Sequence, residues 1–506
     1  MSSRTPILAT LVAGAVAAIT APALAQSDAG GIDPAHAAPA CEMEDALTID
    51  ARDIATPRAL AEAVAQSGAQ AVAIAGGTFE GAEFAPFAAS FAHACFFETR
   101  LKGSDWRAAD ATGIRFVKTD LRDADMRSAR LERVVFDGVN LSRADLTGAS
   151  LVEAQWVGGY WNSDLAGTVF RDADMRRFRF DCQITLDAAC GGNEGADFAG
   201  ADLGGADLSS FGIWGFDRFD GARFDRTFVQ PRALAHVGAP ELAGPVLLAT
   251  EYEADGAARA GVSLSPAEVA QVVADNAVAA KDEPSFACAA AASRAETLIC
   301  GEWEQRLRAL DRDLADLYRE ARNAGVTAAA SQRAWLRQRD RCADRDCLAD
   351  SYRERMDALF AALGDRWALA PDETRTYHEP VLALTEAFRK RELYRRMIPA
   401  LELAAMQDAA LTGREDGSIA AEGSAVGANA HTCGLRVEAA SYDPATGWYS
   451  AVSSDGIEVP LFRIWGDRLL IRYSGNFGNT PEEAIDFISC GARAAFDDML
   501  DLDGRE

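Results

Sequence analysis

Residues 119–151 read TDLRD-ADMRS-ARLER-VVFDG-VNLSR-ADLTG-ASL, and the beat of five in this stretch decides the fold. The same phase runs outward in both directions. From Phe96 it carries Leu101, Trp106, Phe116, Leu121, Met126, Leu131, Phe136, Leu141, Leu146, Leu151 and Trp156, with Ala111 as the one small residue in the series. Two positions before most of these stands a smaller side chain, as at Ala94, Ser104, Ala124, Ala129, Ala144 and Ala154. A helix repeats near 3.6 residues and a strand near 2, so a sustained period of five fits neither. It describes a chain that turns a corner every five residues and stacks on itself. Such a solenoid offers surface rather than a reactive cleft.

The units Ala144-Asp145-Leu146-Thr147-Gly148, Ala201-Asp202-Leu203-Gly204-Gly205 and Ala206-Asp207-Leu208-Ser209-Ser210 share one A-D-L pattern. Over about residues 79–228 the chain resembles pentapeptide-repeat proteins, which implies a right-handed quadrilateral β-helix. In a narrow square coil only two residues per side face inward, so one can be bulky and the other must be small. Coils spaced by about 4.8 Å then pair backbone donors with acceptors of the next coil. The beat slips between Trp161 and Leu165, and again between Phe180 and Phe198. Cys182 and Cys190 fall inside the second slip, which predicts an extruded loop closed by a local disulfide. The pattern resumes through Leu203, Leu208 and Ile213 and ends at Phe219 and Phe224.

A β-helix needs covered ends. Residues 46–95 read as the N-terminal cap of the 96–228 solenoid. A strand spans Ala46–Asp50, Thr56-Pro57 opens a helix to about Gln66, and a second strand spans Ala71–Ala75. Cys41 and Cys95 are expected to tie this cap to the first coil. Residues 229–284, where the beat is gone and Ser265-Pro266 starts a helix, read as the second cap and a linker.

Residues 1–25 read as a signal peptide: Arg4, an apolar stretch from Ile7 to Ile19, then Ala23-Leu24-Ala25 before Gln26, with cleavage between Ala25 and Gln26. The alternative is an uncleaved anchor. Residues 26–45 are expected to be disordered. No later stretch is apolar enough to span a bilayer. The expected location is therefore the periplasm or the exterior. All ten cysteines lie beyond the leader, and none are spaced C-x-x-C, so they read as disulfides rather than metal ligands. The chain holds 77 Asp and Glu against 50 Lys and Arg, a net charge of −27. That balance disfavours nucleic acid and anionic lipid and favours a cationic protein partner, or it serves solubility alone. Some cytosolic pentapeptide-repeat proteins mimic DNA and block topoisomerases; export and the cysteines argue against that role.

Residues 285–362 carry a second pattern: Ser285-Phe286-Ala287-Cys288, Cys300, a helix with Leu307, Leu310, Leu314 and Leu317 on one face, then Trp335, Arg339, Asp340, Cys342 and Cys347. This segment resembles the N-terminal module of LprI-type lysozyme inhibitors, which implies a small exported, disulfide-bonded helical unit. The periodic Leu face calls for an antiparallel partner, giving an α-helical hairpin broken at Gly325. In a hairpin Cys300 lies near Cys342, which leaves Cys288 for Cys347, one of three connectivities open to four cysteines. Trp335 reads as core, and Arg339 with Asp340 as a structural ion pair. Thirteen basic and thirteen acidic residues make the segment neutral, so steering of a cationic lysozyme would have to come from elsewhere in the chain.

Residues 363–506 read as a small C-terminal α+β domain. Leu382, Leu384, Phe388, Leu393, Met397 and Leu401 suggest helix within 375–413. Leu435, Val437, Trp448, Val459, Leu461, Ile464 and Ile471 alternate as strands, bracketed by a Cys433–Cys490 bridge. No catalytic, cofactor or metal constellation stands out. His378-Glu379-Pro380 lacks the second histidine of a metalloprotease helix, and Asp498, Asp501, Asp503 and Gly504 end before a calcium loop would close. The expectation is a non-enzymatic binding protein that docks on lysozyme or another cationic envelope protein, with a periplasmic scaffold as the alternative.

Overall fold

The computed structural model describes residues 41–43, 45–158, 164–182, 195–210, 217–235, 241–253, 257–279, 283–301, 305–427, 432–472, 482–491, 494–496 and 499–502. The leader with its Ala25–Gln26 site, the segment 26–40 and the Cys182–Cys190 bridge lie outside the described residues.

The five-residue beat folds as a parallel β-helix. Strands β1 (Leu47–Asp50), β2 (Val72–Ala75), β3 (Cys95–Phe97), β4 (Arg115–Val117), β5 (Val135–Asp137), β6 (Gln155–Gly158), β7 (Arg179–Cys182) and β8 (Asp207–Leu208) stack in chain order. Beyond a short β9 (Arg223–Phe224), the stack continues through β10 (Thr227–Val229) and, past β11 (Glu241–Leu242), through β12 (Val246–Tyr252). Strand β13 (Ala258–Leu264) closes it antiparallel to β12. This stack is one face. Single bridges mark the other three, as in Arg100↔Asp120↔Asn140, Asp105↔Asp125↔Asp145 and Asp110↔Arg130↔Ser150. The coil is therefore twenty residues long here. It lengthens to 24 from Asn140 to Asp164 and to 28 from Val169 to Asp197, at the two slips of the beat. Inside, the rings of Phe96, Phe116 and Phe136 stack at 5.5 and 5.7 Å, and Ala94, Ile114 and Val134 beside them are buried. The corner two residues after each bulky position takes φ near +60° at glycines such as Gly103 and Gly148, and equally at Lys118, Ser128 and Arg133.

Helix α1 (Pro57–Ser67), capped by Thr56, whose hydroxyl accepts from the Ala59 N–H at 3.2 Å, covers the first coil. Cys41 is joined to Cys95. The other end is covered by α2 (Pro266–Ala279) together with a distant segment that sequence reading placed elsewhere. Leu382, Leu384, Phe388, Leu393, Met397 and Ala400 belong to the same buried core as the β-helix ladder.

The segment 285–362 is not a two-helix hairpin. It forms α3 (Arg294–Ile299), α4 (Gln305–Asn323), α5 (Ala329–Arg339) and α6 (Arg345–Leu363), and the Leu face of α4 packs chiefly on α6 rather than on α5. The nested cysteine pairing is overturned with it. The bridges are local, Cys288–Cys300 and Cys342–Cys347. Asp344 accepts from the Cys347 N–H at 2.9 Å and starts a new helix there, so the chain reverses between Cys342 and Cys347 and brings the two together.

The C-terminal part is not an α+β domain but a closed antiparallel barrel. Strands β14 (Thr374–His378), β15 (Gln407–Gly413), β16 (Ile419–Val426), β17 (Thr432–Asp443), β18 (Trp448–Val452), β19 (Glu458–Trp465) and β20 (Arg468–Ile471) each pair with the next. Past β21 (Ile488–Cys490), which lies on β17, strand β22 (Met499–Leu502) pairs with both β20 and β14 and closes the ring. Tyr377, Leu411, Val437, Leu461, Phe462 and Leu500 fill the interior. Cys433 is joined to Cys490 across the β17–β21 pair. The helices expected within 375–413 are short: α7 (Glu386–Arg389) and α8 (Glu392–Ala404) are inserted between β14 and β15. They face the β-helix end instead of forming a layer on the barrel.

Candidate interaction surfaces

The outer rows of the β-helix are rich in Asp for a local reason. An Asp one residue before the bulky position accepts from the N–H two residues on: Arg107 to Asp105 at 3.0 Å, Thr147 to Asp145 at 3.0 Å, Ala199 to Asp197 at 3.1 Å and Gly204 to Asp202 at 3.1 Å. These side chains pin the corner turns. The vertical ladder Asp105, Asp125, Asp145 is interleaved with arginines. Arg107 bridges Asp105 and Asp125 at 2.5 and 3.5 Å, and Arg127 bridges Asp125 and Asp145 at 2.6 and 3.7 Å. Hydrogen bonds from Arg107, Arg127 and Arg176 hold Asp105, Asp125 and Asp174 below the ordinary carboxylate range. Carboxylates so fixed in the ionised form make poor general acids. Asp137 of β5, by contrast, is pushed up by burial.

The two weak motifs of the C-terminal part meet. His378 and Asp501 are cross-strand partners at the barrel seam, and with Glu379, Arg389, Tyr394 and Glu402 they line a small, partly open cleft. The charged groups there serve as ties. Asp501 pairs with Arg389 at 2.7 Å, and Glu379 pairs with Arg232 of the β-helix. Thr385 donates through its N–H and its hydroxyl to Asp275 of α2, each at 2.8 Å. Arg396 reaches Glu268 at 2.5 Å and Ser263 O at 2.7 Å. No group of three or more His, Cys, Asp or Glu that could hold a metal occurs among the described residues. Asp498, Asp503 and Gly504 of the calcium-like run lie outside the described residues.

In the helical module, Trp335 is core: its ring meets Tyr352 edge-on at 5.2 Å and its N–H donates to Ser351 O at 3.2 Å. Arg339 is 4% exposed and pairs with Asp340 at 2.7 Å, while its other nitrogen donates to the Tyr352 hydroxyl at 3.2 Å. That hydroxyl donates to Asp311 at 2.6 Å. A second buried arginine, unnoticed in the sequence, fixes the module to the barrel. Arg463 donates to Asp357 of α6 at 2.6 Å, and its guanidinium lies 3.8 Å from the Trp448 ring centre. The Trp465 N–H donates to Glu320 at 2.9 Å, and the Tyr449 hydroxyl donates to Asp365 at 2.6 Å. Each of these residues stands in an ordinary local pattern, so only the paired partner reveals its role.

The chain carries pentapeptide repeats: the family described as Pentapeptide repeats matches residues 94–133 and 124–155, in eight copies. Full-length QnrB1, a plasmid-mediated fluoroquinolone resistance protein, is a similar solved structure at 15% identity and a TM-score of 0.19; the match covers 34% of this chain and 92% of that one. Rfr23, a pentapeptide repeat protein of the cyanobacterium Cyanothece 51142, is similar at 19% identity and a TM-score of 0.14, over 26% of this chain and 62% of that one. A pentapeptide repeat protein of the Arabidopsis thaliana thylakoid lumen is similar at 21% identity and a TM-score of 0.10, over 27% and 81%. No curated protein matches the chain.

Proposed function

We propose that this protein is an exported, non-enzymatic interaction scaffold. The observation that carries the reading is the use of its charged groups: along the β-helix, at the seam cleft and at the module–barrel joint they are engaged in turns and ion pairs that hold the parts together. A protein built this way presents surface. Four disulfides among the described residues favour an oxidising compartment, in keeping with the leader-like start and the Ala25–Gln26 site. No helix among the described residues is long and apolar enough to cross a membrane. Expression with the native leader in a Gram-negative host, followed by fractionation, in-cell crosslinking and N-terminal sequencing, tests the reading. A mature start at Gln26 and a crosslinked envelope protein are expected. Retention in the cytosol, or a crosslinked nucleic-acid enzyme, overturns it.

A narrower form of the reading is that the partner is a cationic lysozyme. The resemblance of residues 285–362 to LprI-type modules favours it. So does the acidity on either side of it: residues 1–284 hold 40 Asp and Glu against 23 Lys and Arg, and residues 363–506 hold 24 against 14, so the neighbouring parts can supply the steering that the neutral module lacks. The test is cell-wall turbidity with purified mature protein; undiminished lysis by several lysozyme classes at about micromolar protein, a strength typical of a modest interface, removes this form and leaves the scaffold.

A further inference from the structure

The three most exposed large aliphatic side chains of the described residues lie at one hairpin tip and on the segment hydrogen-bonded to it. Val452 is 67% exposed, Ile485 55% and Ile457 48%. Val452 ends β18, and Ile457 sits in the tight turn to β19, where the Ser453 N–H donates to Ile457 O at 2.8 Å. Ile485 belongs to a separate segment thirty residues on, held against this turn because the Ser454 N–H donates to the Asp486 carboxylate at 2.6 Å. A barrel that fills its interior with Phe462, Leu461 and Leu500 has no folding reason to place three β-branched aliphatics outside. Scattered exposed aliphatics are ordinary, but three on adjoining segments at one hairpin tip, set among acidic residues, make that tip the strongest candidate contact surface.

The rim has one sign. Asp455, Glu458, Glu482, Glu483 and Asp486 lie in the same two segments, and residues 448–462 and 482–490 contain no Lys or Arg. Glu458 is the cross-strand partner of Val452, so an acid stands directly beside the most exposed aliphatic. Hydrogen bonding from Ser454 holds Asp486 in its ionised form. A flanking base among the described residues is Arg436, whose backbone N–H bonds to Phe487 O. We infer that this hairpin tip is the docking surface for a cationic protein, the aliphatic trio entering an apolar depression while the carboxylates meet basic side chains around it. The inference rests on the scaffold reading and gives it a site. An anionic membrane is disfavoured by the rim, and a second copy of the chain would bring five carboxylates against five.

The test uses the full mature chain, with cytochrome c and a c-type lysozyme as cationic probes in biolayer interferometry. Wild type is expected to bind at least one probe, with affinity falling about tenfold or more as salt screens the rim. The variant V452S/I457S/I485S, altered only at exposed positions, should bind at least about tenfold more weakly at unchanged salt. The variant D455N/E458Q/E482Q should lose most of the salt dependence. Circular dichroism confirms that both remain folded. Equal binding by the aliphatic variant and wild type overturns this site and leaves the scaffold reading standing. Absence of binding to either probe also overturns it, while crosslinking still decides the scaffold. A dimer in sedimentation that the aliphatic variant abolishes assigns the surface to a second copy and overturns it as well.

Discussion

The β-helix and the barrel are both made of short strands around a filled apolar interior, yet they handle strand edges in opposite ways. Each coil pairs with the coil one turn on, so contacts are near in sequence and the stack has two open ends. The barrel pairs β14 with β22, joining Tyr377 to Leu502, and has no open end in its ring. The difference has a structural consequence. The solenoid must borrow a cover, and it borrows α7 and α8 from between two barrel strands. The cooperative unit therefore does not follow the chain order.

The largest expected effects come from removing one core ring from each body. Phe116→Ala empties the middle of the Phe96–Phe116–Phe136 stack, and Phe462→Ala removes a buried ring stacked on Tyr449 at 5.4 Å. Each should cost about 3–5 kcal/mol. The spread is what separates them. In hydrogen exchange, the first should deprotect the neighbouring coils and fade along the stack, whereas the second should deprotect all eight strands of the ring together. Equal, global deprotection in both would erase the contrast.

Next in size is the borrowed cover. Met397 is fully buried on α8 within the β-helix core. Met397→Ala should cost about 2–4 kcal/mol and should loosen β10 and β12 of the solenoid before the barrel strands. If exchange rises first in β15 to β20, the helix serves the barrel, and the two bodies are less interwoven than their contacts indicate.

The same contrast explains what was legible. Leu121, Met126 and Leu131 announce the coil because each ladder contact recurs at a fixed offset. The barrel is written in weaker terms. Strands β15 and β16 alternate in burial, but mostly through Ala, Gly, Thr and Ser, with only Leu411 and Ile419 as large buried residues to mark it, and closure depends on a four-residue strand at the far end of the chain. The amphipathic stripe Leu393, Met397 and Leu401 is readable as a helix, but its partner, which lies more than a hundred residues away, is not. Cysteine spacing misleads when the helical segment is taken as two helices. Once Asp344 caps a new helix, Cys342 and Cys347 become neighbours.

A smaller effect tests the joint between module and barrel. Burial raises Asp313 of α4 to about 6, and Arg468 of β20, 3.8 Å away, only partly opposes this. The folded state binds this proton more tightly than the unfolded chain, for which a value near 3.9 is ordinary. Stability from this group is therefore full below about pH 4 and is lost as pH rises through 6. Asp313→Asn should raise stability by about 1–2 kcal/mol at pH 7.5, with the lost attraction to Arg468 setting the lower figure. The difference should vanish near pH 4. A gain that persists unchanged at low pH would mean that the carboxylate is not the cause.

The smallest effect belongs to the corners, where the two bodies differ most plainly. Gly447 in the turn before β18 has φ +74° and is hemmed in, since an added Cβ would sit 2.9 Å from Phe360 Cβ; only glycine fits. Ser128, a β-helix corner, has φ +57°, points to solvent and faces the open corner of Gly148 in the next coil. An L-residue in the left-handed region costs about 1–2 kcal/mol, whereas glycine gives back roughly 0.5–1 kcal/mol through the freer unfolded chain. Ser128→Gly should therefore stabilise by about 0.5 kcal/mol, readable as a small rise in denaturation midpoint with unchanged slope. The Ser128 N–H bonds to Thr147 O at 2.9 Å and is retained by glycine, so the change isolates the backbone term. A loss of stability would show that the stack itself, through its coil-to-coil hydrogen bonds, makes the left-handed corner comfortable for any side chain. That outcome would account for Lys118, Arg133 and Arg143 being tolerated at the same position.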